Sequence, residues 1–232
     1  MDPMLLVVLA GGRGSRLGSL TDSHPKALVQ IGDRPILWHI LQAYAAAGIT
    51  SSVIAGGYRV NRIEQAFANS EHVDVVDTGA TTNTAGRLLR LADRLPKNFC
   101  LTYADGLSNV PLAQVIGLHR RRQPQATITA VHPPSRFGTL DFSGDIVTRF
   151  EEKSTLSSVW INGGFMVLSK RIIDLIPGDE TSLEQDVFPK LAAAGQLIAH
   201  RHGGFWHPMD TASDVEYLNA LWRKGSVPWQ AS

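Results

Sequence analysis

Short apolar runs and amphipathic helical segments alternate through residues 5–132, and this order leaves few folds open. "LLVVLA" (5–10) is continuously apolar, as a strand buried on both faces requires. "PILWHILQAYAAAG" (35–48) places apolar residues at 36, 37, 40, 41 and 44, between a starting Pro35 and a stopping Gly48. Strands follow at "SSVIAGG" (51–57), "VDVVDT" (73–78), "NFCLTYADG" (98–106) and "ATITAVH" (126–132). Helices are expected between them over 59–68, 84–95 and 111–122. A β-α-β-α order of this kind predicts an α/β fold, a mostly parallel sheet flanked by helices on both faces.

The pattern changes in the second half. "TLDFSGDIVTRFEE" (139–152) predicts a hairpin around "SGD", a small antiparallel elaboration. "WINGGFMVLS" (160–169) and "QLIAHRH" are strands, and "SLEQDVFPKLAAAG" (182–195) is a helix with Ser182 and Gln185 spaced as a capping box. "ASDVEYLNALWRKG" (212–225) is a closing helix. With no linker, repeat or low-complexity stretch, residues 1–232 are expected to form one domain.

Composition excludes several classes. Net charge is +1, so no global field draws nucleic acid or an anionic membrane, and any anion site must be a local cluster. The run "HRRRQ" (119–123) is too short for a nucleic-acid surface and reads as a solvated helix end. The single cysteine, Cys100, rules out an internal disulfide and a thiolate zinc site, and reads as a small buried hydrophobe. The N-terminus lacks the features of a signal peptide and no apolar run approaches a membrane span, so a cytoplasmic location is expected.

The first strand runs into "LAGGRGSR" (9–16), three glycines and two arginines in eight residues. It lacks the third glycine of the dinucleotide fingerprint and is not a Walker A loop. Backbone N–H groups at a strand's carboxyl end still face the ligand crevice of an α/β sheet, where phosphate is the natural anion. Arg16 can grip phosphate oxygens in a fork, and Lys26 adds a point charge; the alternative is a plain turn with solvated arginines. Asp105 and Asp210 each follow a strand-like stretch. Brought together they could hold one Mg²⁺; apart, Asp105 is a turn acid and Asp210 a helix cap. His207, near Asp210, is a further ligand option. No G-x-S-x-G elbow and no HExxH pair is present.

"LAGGRGSRLGSLTDSHPKALVQIGDRPILWH" resembles the signature of sugar-1-phosphate nucleotidylyltransferases. With "VDTG", "GRL", "YADG", "RFGTLDF", "INGGF", "FWHPMDT" and "LWRKGSVPW", the chain looks most like their glucose-1-phosphate cytidylyltransferase branch. The resemblance implies a Rossmann-like sheet and a Mg²⁺-dependent reaction of CTP with α-D-glucose 1-phosphate, giving CDP-glucose and pyrophosphate. It assigns Leu9, Ala10, Gly11 and Gly12 to the nucleotide, Gly14, Ser15 and Arg16 to its phosphates, and Lys26 to the reacting phosphates. Thr78, Gly79 and Gly86 would line the base; Asp105 and Asp210 would bind metal. Gly138, Glu152, Lys153 and Asn162 would face the sugar phosphate.

Three features depart from the branch. The segment before "VDVVDTG" is shorter, which bears on the contacts of a homo-oligomer. The usual "EKP" is "EKS" (152–154) with a shortened loop to "WINGG", which bears on the sugar. The chain also ends soon after "VPWQAS", so no added C-terminal domain is expected. Two alternatives stay open: the same mechanism with dTTP, UTP or GTP or another sugar or cyclitol phosphate, and a non-catalytic nucleotide-sugar-binding regulator. A glycosyltransferase would want a D-x-D spacing that "YADGL" lacks.

Overall fold

A computed structural model describes residues 4–21, 24–135, 137–152 and 159–230. The first strands are β1 (Leu6–Ala10), β2 (Gln30–Ile31), β3 (Arg34–Pro35), β4 (Ser52–Gly56), β5 (Val73–Asp77) and β6 (Asn98–Tyr103). Then come β7 (Gly106–Ser108), β8 (Ala126–Val131), β9 (Thr139–Ser143), β10 (Ile146–Glu151), β11 (Ile161–Ser169), β12 (Leu197–Arg201) and β13 (Trp206–Pro208). The α-helices are α1 (Ile36–Ala46), α2 (Val60–Phe67), α3 (Thr84–Arg90), α4 (Leu112–Arg122), α5 (Phe188–Ala193) and α6 (Ala212–Arg223).

The central sheet has the order β12-β8-β11-β6-β1-β4-β5. β1 pairs in parallel with β4 and β6, β4 with β5, and β8 with β12. β11 runs antiparallel to both β6 and β8. The expected mostly parallel sheet, with a small antiparallel hairpin from β9 and β10, is what forms. Alternation splits β1 between two cores. Leu6, Val8 and Ala10 pack with Ile36, Ile40 and Tyr44 of α1, while Val7 and Leu9 pack with Leu88 and with Leu191 of α5. Burying each such aliphatic side chain contributes about 1.5–3 kcal/mol.

Chain order places the site. From β1 the chain moves outward through β4 to β5, then returns to lay β6 on the other side of β1. The reversal opens a crevice at the carboxyl ends of β1 and β6. The glycine loop leaves β1 there, and Asp105 follows β6. β7 and β13 then pair, and the Met209 N–H donates to the Asp105 carbonyl at 2.7 Å, which sets Asp210 beside Asp105.

Three local expectations change. α3 ends at Arg90 and gives way to a 3-10 turn at Ala92–Arg94, rather than running to residue 95. The helix over 182–195 begins as a π-turn, Leu183–Val187, before α5. Pro189 has no N–H for the Gln185 carbonyl, so the chain takes the wider turn, with the Phe188 N–H reaching the Leu183 carbonyl. The wider turn also shifts the cap: Ser182 accepts from the Gln185 N–H, but Asp186 answers its backbone N–H at 2.7 Å. Finally, Arg120–Arg122 are exposed as expected, whereas His119 is buried against the Thr127 hydroxyl at 2.9 Å. Burial lowers the His119 pKa to about 4 and raises that of the buried Cys100 thiol to about 12. Among the described residues, no helix is long and apolar enough to cross a membrane.

Candidate active site

Two glycines of the loop are needed for what lies against them. Gly14 has φ +65°, and a Cβ there would sit 3.0 Å from the Lys26 Cβ. A Cβ on Gly11 would overlap the Arg87 guanidinium, which therefore rests against bare backbone. Arg87 is 5% exposed and donates to the Gly56 carbonyl at 2.8 Å and the Thr78 hydroxyl at 2.7 Å. Burial lowers its pKa and the nearby Asp77 opposes that, so a charged guanidinium lies under the glycine loop.

Lys26 opens a 3-10 turn, Lys26–Leu28, directly after Pro25. Its Nζ donates to Asp105 Oδ2 at 2.8 Å and to Asp210 Oδ1 at 2.7 Å. Arg16 meets the other Asp210 oxygen at 3.1 Å. The cap of α6 falls to Thr211 and Asp214, which form a capping box, and Asp214 also takes the Asp210 backbone N–H. His207 turns to Asp214, at 3.1 Å, rather than to Asp210. Burial lowers the His207 pKa and Asp214 opposes the shift.

The two acids therefore converge on one cationic nitrogen. Two carboxylates disposed around one positive charge suit Mg²⁺, which takes one or two carboxylates and completes its shell with phosphate oxygens and water. Among the described residues no group of three or more His, Cys, Asp or Glu is placed to hold a metal by itself. Phosphate oxygens of a substrate would have to complete the site.

Two recesses meet at this cluster. The smaller, about 280 Å³, lies over the glycine loop and is floored by Thr84 and Arg87. The larger, about 1100 Å³, runs between the β6 end, the start of β11 and the start of α6. Arg16, Tyr103, Asp105 and Asp210 line both. In β11, Gly164 has φ +81°, and a Cβ there would lie 2.6 Å from the Tyr103 ring. The double glycine of "INGGF" thus admits Tyr103 to the boundary between the recesses.

The residues expected from sequence divide. Leu9, Ala10, Gly11, Gly12, Gly14, Ser15 and Lys26 line the smaller recess. Glu152 and Asn162 line the larger, and the Asn162 amide oxygen takes the Gly164 N–H at 3.0 Å. Thr78 is fully buried behind Arg87, and Gly79 (φ +88°) turns against Thr82 and Arg90. Gly86 faces away: a Cβ there would overlap the backbone of Asp179. Gly138 packs under Phe150 and Glu152. Lys153 lies outside the described residues. The structure adds Arg87, Thr84, Tyr103 and Glu184 to the residues lining the two recesses. One signal was available for Arg87: it shares a helix face with Leu91, four residues on, and Leu91 is buried.

The profile of the Nucleotidyl transferase family matches residues 5–223. The chain belongs to this family. Over 254 aligned positions it is 40% identical to glucose-1-phosphate cytidylyltransferase of Salmonella typhi, covering 98% of this chain and 99% of that one. It is 34% identical over 229 positions to mannose-1-phosphate guanyltransferase of Schizosaccharomyces pombe, covering 93% of this chain and 62% of the relative. Among solved structures, HddC from Yersinia pseudotuberculosis superposes with a TM-score of 0.75 at 23% identity, covering 94% of this chain and 99% of HddC. That likeness concerns the fold. This chain is an enzyme of nucleotidyl transfer. Its Salmonella alignment is longer than its own 232 residues, in keeping with shortened segments.

Proposed function

We propose that this enzyme converts CTP and α-D-glucose 1-phosphate to CDP-glucose and pyrophosphate, with Mg²⁺ as its cofactor. The observation that carries the reaction type is Lys26 Nζ held between Asp105 and Asp210 where the two recesses meet. The choice of CTP and glucose rests on the 40% identity to the Salmonella enzyme of that name.

In this reaction an oxygen of the sugar phosphate bonds to the α-phosphorus of CTP. The bond from that phosphorus to the bridging oxygen breaks, and its electron pair leaves with pyrophosphate. The nucleophile is already an anion, so no strong base is required; the obstacle is bringing anions together. Arg16, Lys26 and Arg87 line the recess over the glycine loop and supply its cations. Lys26 exchanges its aspartates for phosphate oxygens when substrate arrives. Asp105 and Asp210 would hold the Mg²⁺, which supplies Lewis-acid neutralisation of phosphate charge. The nucleotide lies over Leu9–Gly12, with Thr78, fully buried, reaching that recess only through the Arg87 it holds, and the sugar lies toward Glu152 and Asn162.

The test is pyrophosphate release with Mg²⁺, across CTP, UTP, dTTP, GTP and ATP against several sugar 1-phosphates. Turnover confined to CTP with glucose 1-phosphate is expected. Turnover with GTP and mannose 1-phosphate, in line with the guanyl transfer and mannose 1-phosphate in the name of the Schizosaccharomyces pombe relative, would keep the mechanism and replace the substrates.

A further inference from the structure

We infer that Glu184 is a specificity-determining residue that accepts a hydrogen bond from a hydroxyl of the sugar phosphate. The inference rests on the enzyme acting on a sugar 1-phosphate, but not on which nucleotide it uses.

Glu184 sits in the π-turn before α5 and lines the larger recess, the one that also holds Glu152 and Asn162. Its carboxylate is held by hydroxyls. Tyr103 donates to Oε1, while Thr84 at 2.7 Å and Ser182 at 2.9 Å donate to Oε2. These donors come from β6, from the start of α3 and from the turn's own cap, so three elements fix the group. Thr84 is itself fixed, because it accepts the Leu183 N–H at 2.8 Å. The π-turn imposed by Pro189 positions the residue, and such turns recur at functional sites.

An ionised carboxylate offers about four lone-pair positions. Among the described residues three donors occupy two on Oε2 and one on Oε1, which leaves one acceptor position on Oε1. Glu184 is exposed and lines the recess, within reach of a substrate hydroxyl. A negative group in a cleft that admits a phosphate repels the phosphate, so it suits only the uncharged, hydroxyl-bearing part of the substrate. Hydroxyl donors match it, as the three it already holds demonstrate. Its recess decides which hydroxyl: Glu184 lines the larger recess and not the one over the glycine loop, which favours the hexose over the ribose.

The test compares the parent with Glu184→Gln on glucose 1-phosphate and its 2-, 3-, 4- and 6-deoxy analogues, using whichever nucleotide the parent turns over. Glutamine keeps the size and loses the charge. Circular dichroism and melting of the variant establish that it folds. The parent is expected to disfavour one deoxy analogue by roughly 10- to 100-fold in kcat/KM, the worth of a charge-assisted hydrogen bond. E184Q should lose most of that discrimination at the same position and keep it at the others, with KM for the nucleotide unchanged. Discrimination that is equal in parent and variant at every position would overturn the inference. So would a rise in nucleotide KM alone, which would place the contact on the ribose. Parent enzyme that turns over no sugar 1-phosphate would overturn the underlying reading as well, and that result is seen before the variant is made.

Discussion

Lysine 26 is expected to be a structural clasp as well as a ligand for phosphate, and Lys26→Met separates the charge from the stem. Methionine retains most of the apolar length and removes the ammonium. In the parent, the lysine is 15% exposed, Asp210 18% and Asp105 36%, and both pairs are shorter than 3 Å. Exposed pairs contribute about 0–1 kcal/mol, and breaking a fully buried one costs about 3–5 kcal/mol. With one partner more than a third exposed, the loss is discounted to about 2 kcal/mol. For a chain of this size that is a fall in Tm of roughly 4–8 °C. The loss arises chiefly because two carboxylates now face each other, so a divalent cation should restore it. Thermal melts of parent and K26M are therefore compared with and without millimolar Mg²⁺, at low salt. Mg²⁺ should raise the Tm of K26M more than that of the parent, while kcat stays lower by roughly 10²–10³-fold because the cation aimed at the phosphates is gone. A variant that melts within a degree of the parent would refute the clasp. One that is destabilised but indifferent to Mg²⁺ would refute the pairing of Asp105 with Asp210 as a metal site.

Asp105→Asn and Asp210→Asn should each cut turnover by roughly 10²–10³-fold while leaving the circular dichroism spectrum unchanged; comparable activity in either variant removes that residue from the metal assignment. Gly86→Ala forces a Cβ into the Asp179 backbone and disturbs the N–H groups of Ala85 and Gly86 that meet the Thr181 carbonyl. Overpacking of about 1–3 kcal/mol outweighs the gain of up to about 1 kcal/mol in helix propensity, so urea denaturation should show a loss. A change in nucleotide KM with no loss of stability would instead favour direct contact with the base. His119 is neutral in the fold, with its pKa lowered from 6.5 to about 4, so the unfolded chain takes up the proton first. Its contribution is complete above pH 6.5 and declines toward pH 4, at up to about 1.4 kcal/mol per pH unit, and His119→Gln should flatten that limb of the urea midpoint against pH.

Local rules made β1, the glycine loop and Asp105 legible. An apolar run, then glycines, then an acid at a later strand's end are all short-range patterns with short-range causes. Asp210 was legible as an acid but not as the neighbour of Asp105. That adjacency depends on the β7–β13 pairing and the Met209 N–H bond, which join segments about a hundred residues apart in sequence. Arg87 and Glu184 were passed over for one reason: a charged residue in a helical stretch is usually solvated. What buries Arg87 and fixes the exposed Glu184 lies elsewhere in the chain, in the Gly56 carbonyl and Thr78 for Arg87, and in Tyr103 and Thr84 for Glu184. The π-turn has a local cause in Pro189, which falls inside the helix expected over 182–195 and leaves the Gln185 carbonyl without a donor; which wider bond replaces it is settled only by the fold.

Three glycines link the motifs to the chemistry. At Gly11 the missing Cβ leaves space for the Arg87 guanidinium, at Gly14 for the stem of Lys26, and at Gly164 for the ring of Tyr103. Each of these side chains comes from a different element, and each lines the recess over the loop. The glycines therefore do more than let backbone N–H groups approach a phosphate. They bring two cations and a phenol within reach of the same small volume without enlarging it. An alanine at Gly11 or Gly164 leaves Arg87, Lys26 and Tyr103 in the sequence yet displaces one of them, through overlap with the guanidinium in one case and the phenol ring in the other. Activity lost in such variants, with Arg87, Lys26 and Tyr103 all retained, would trace function to that close approach rather than to the mere presence of the charged groups.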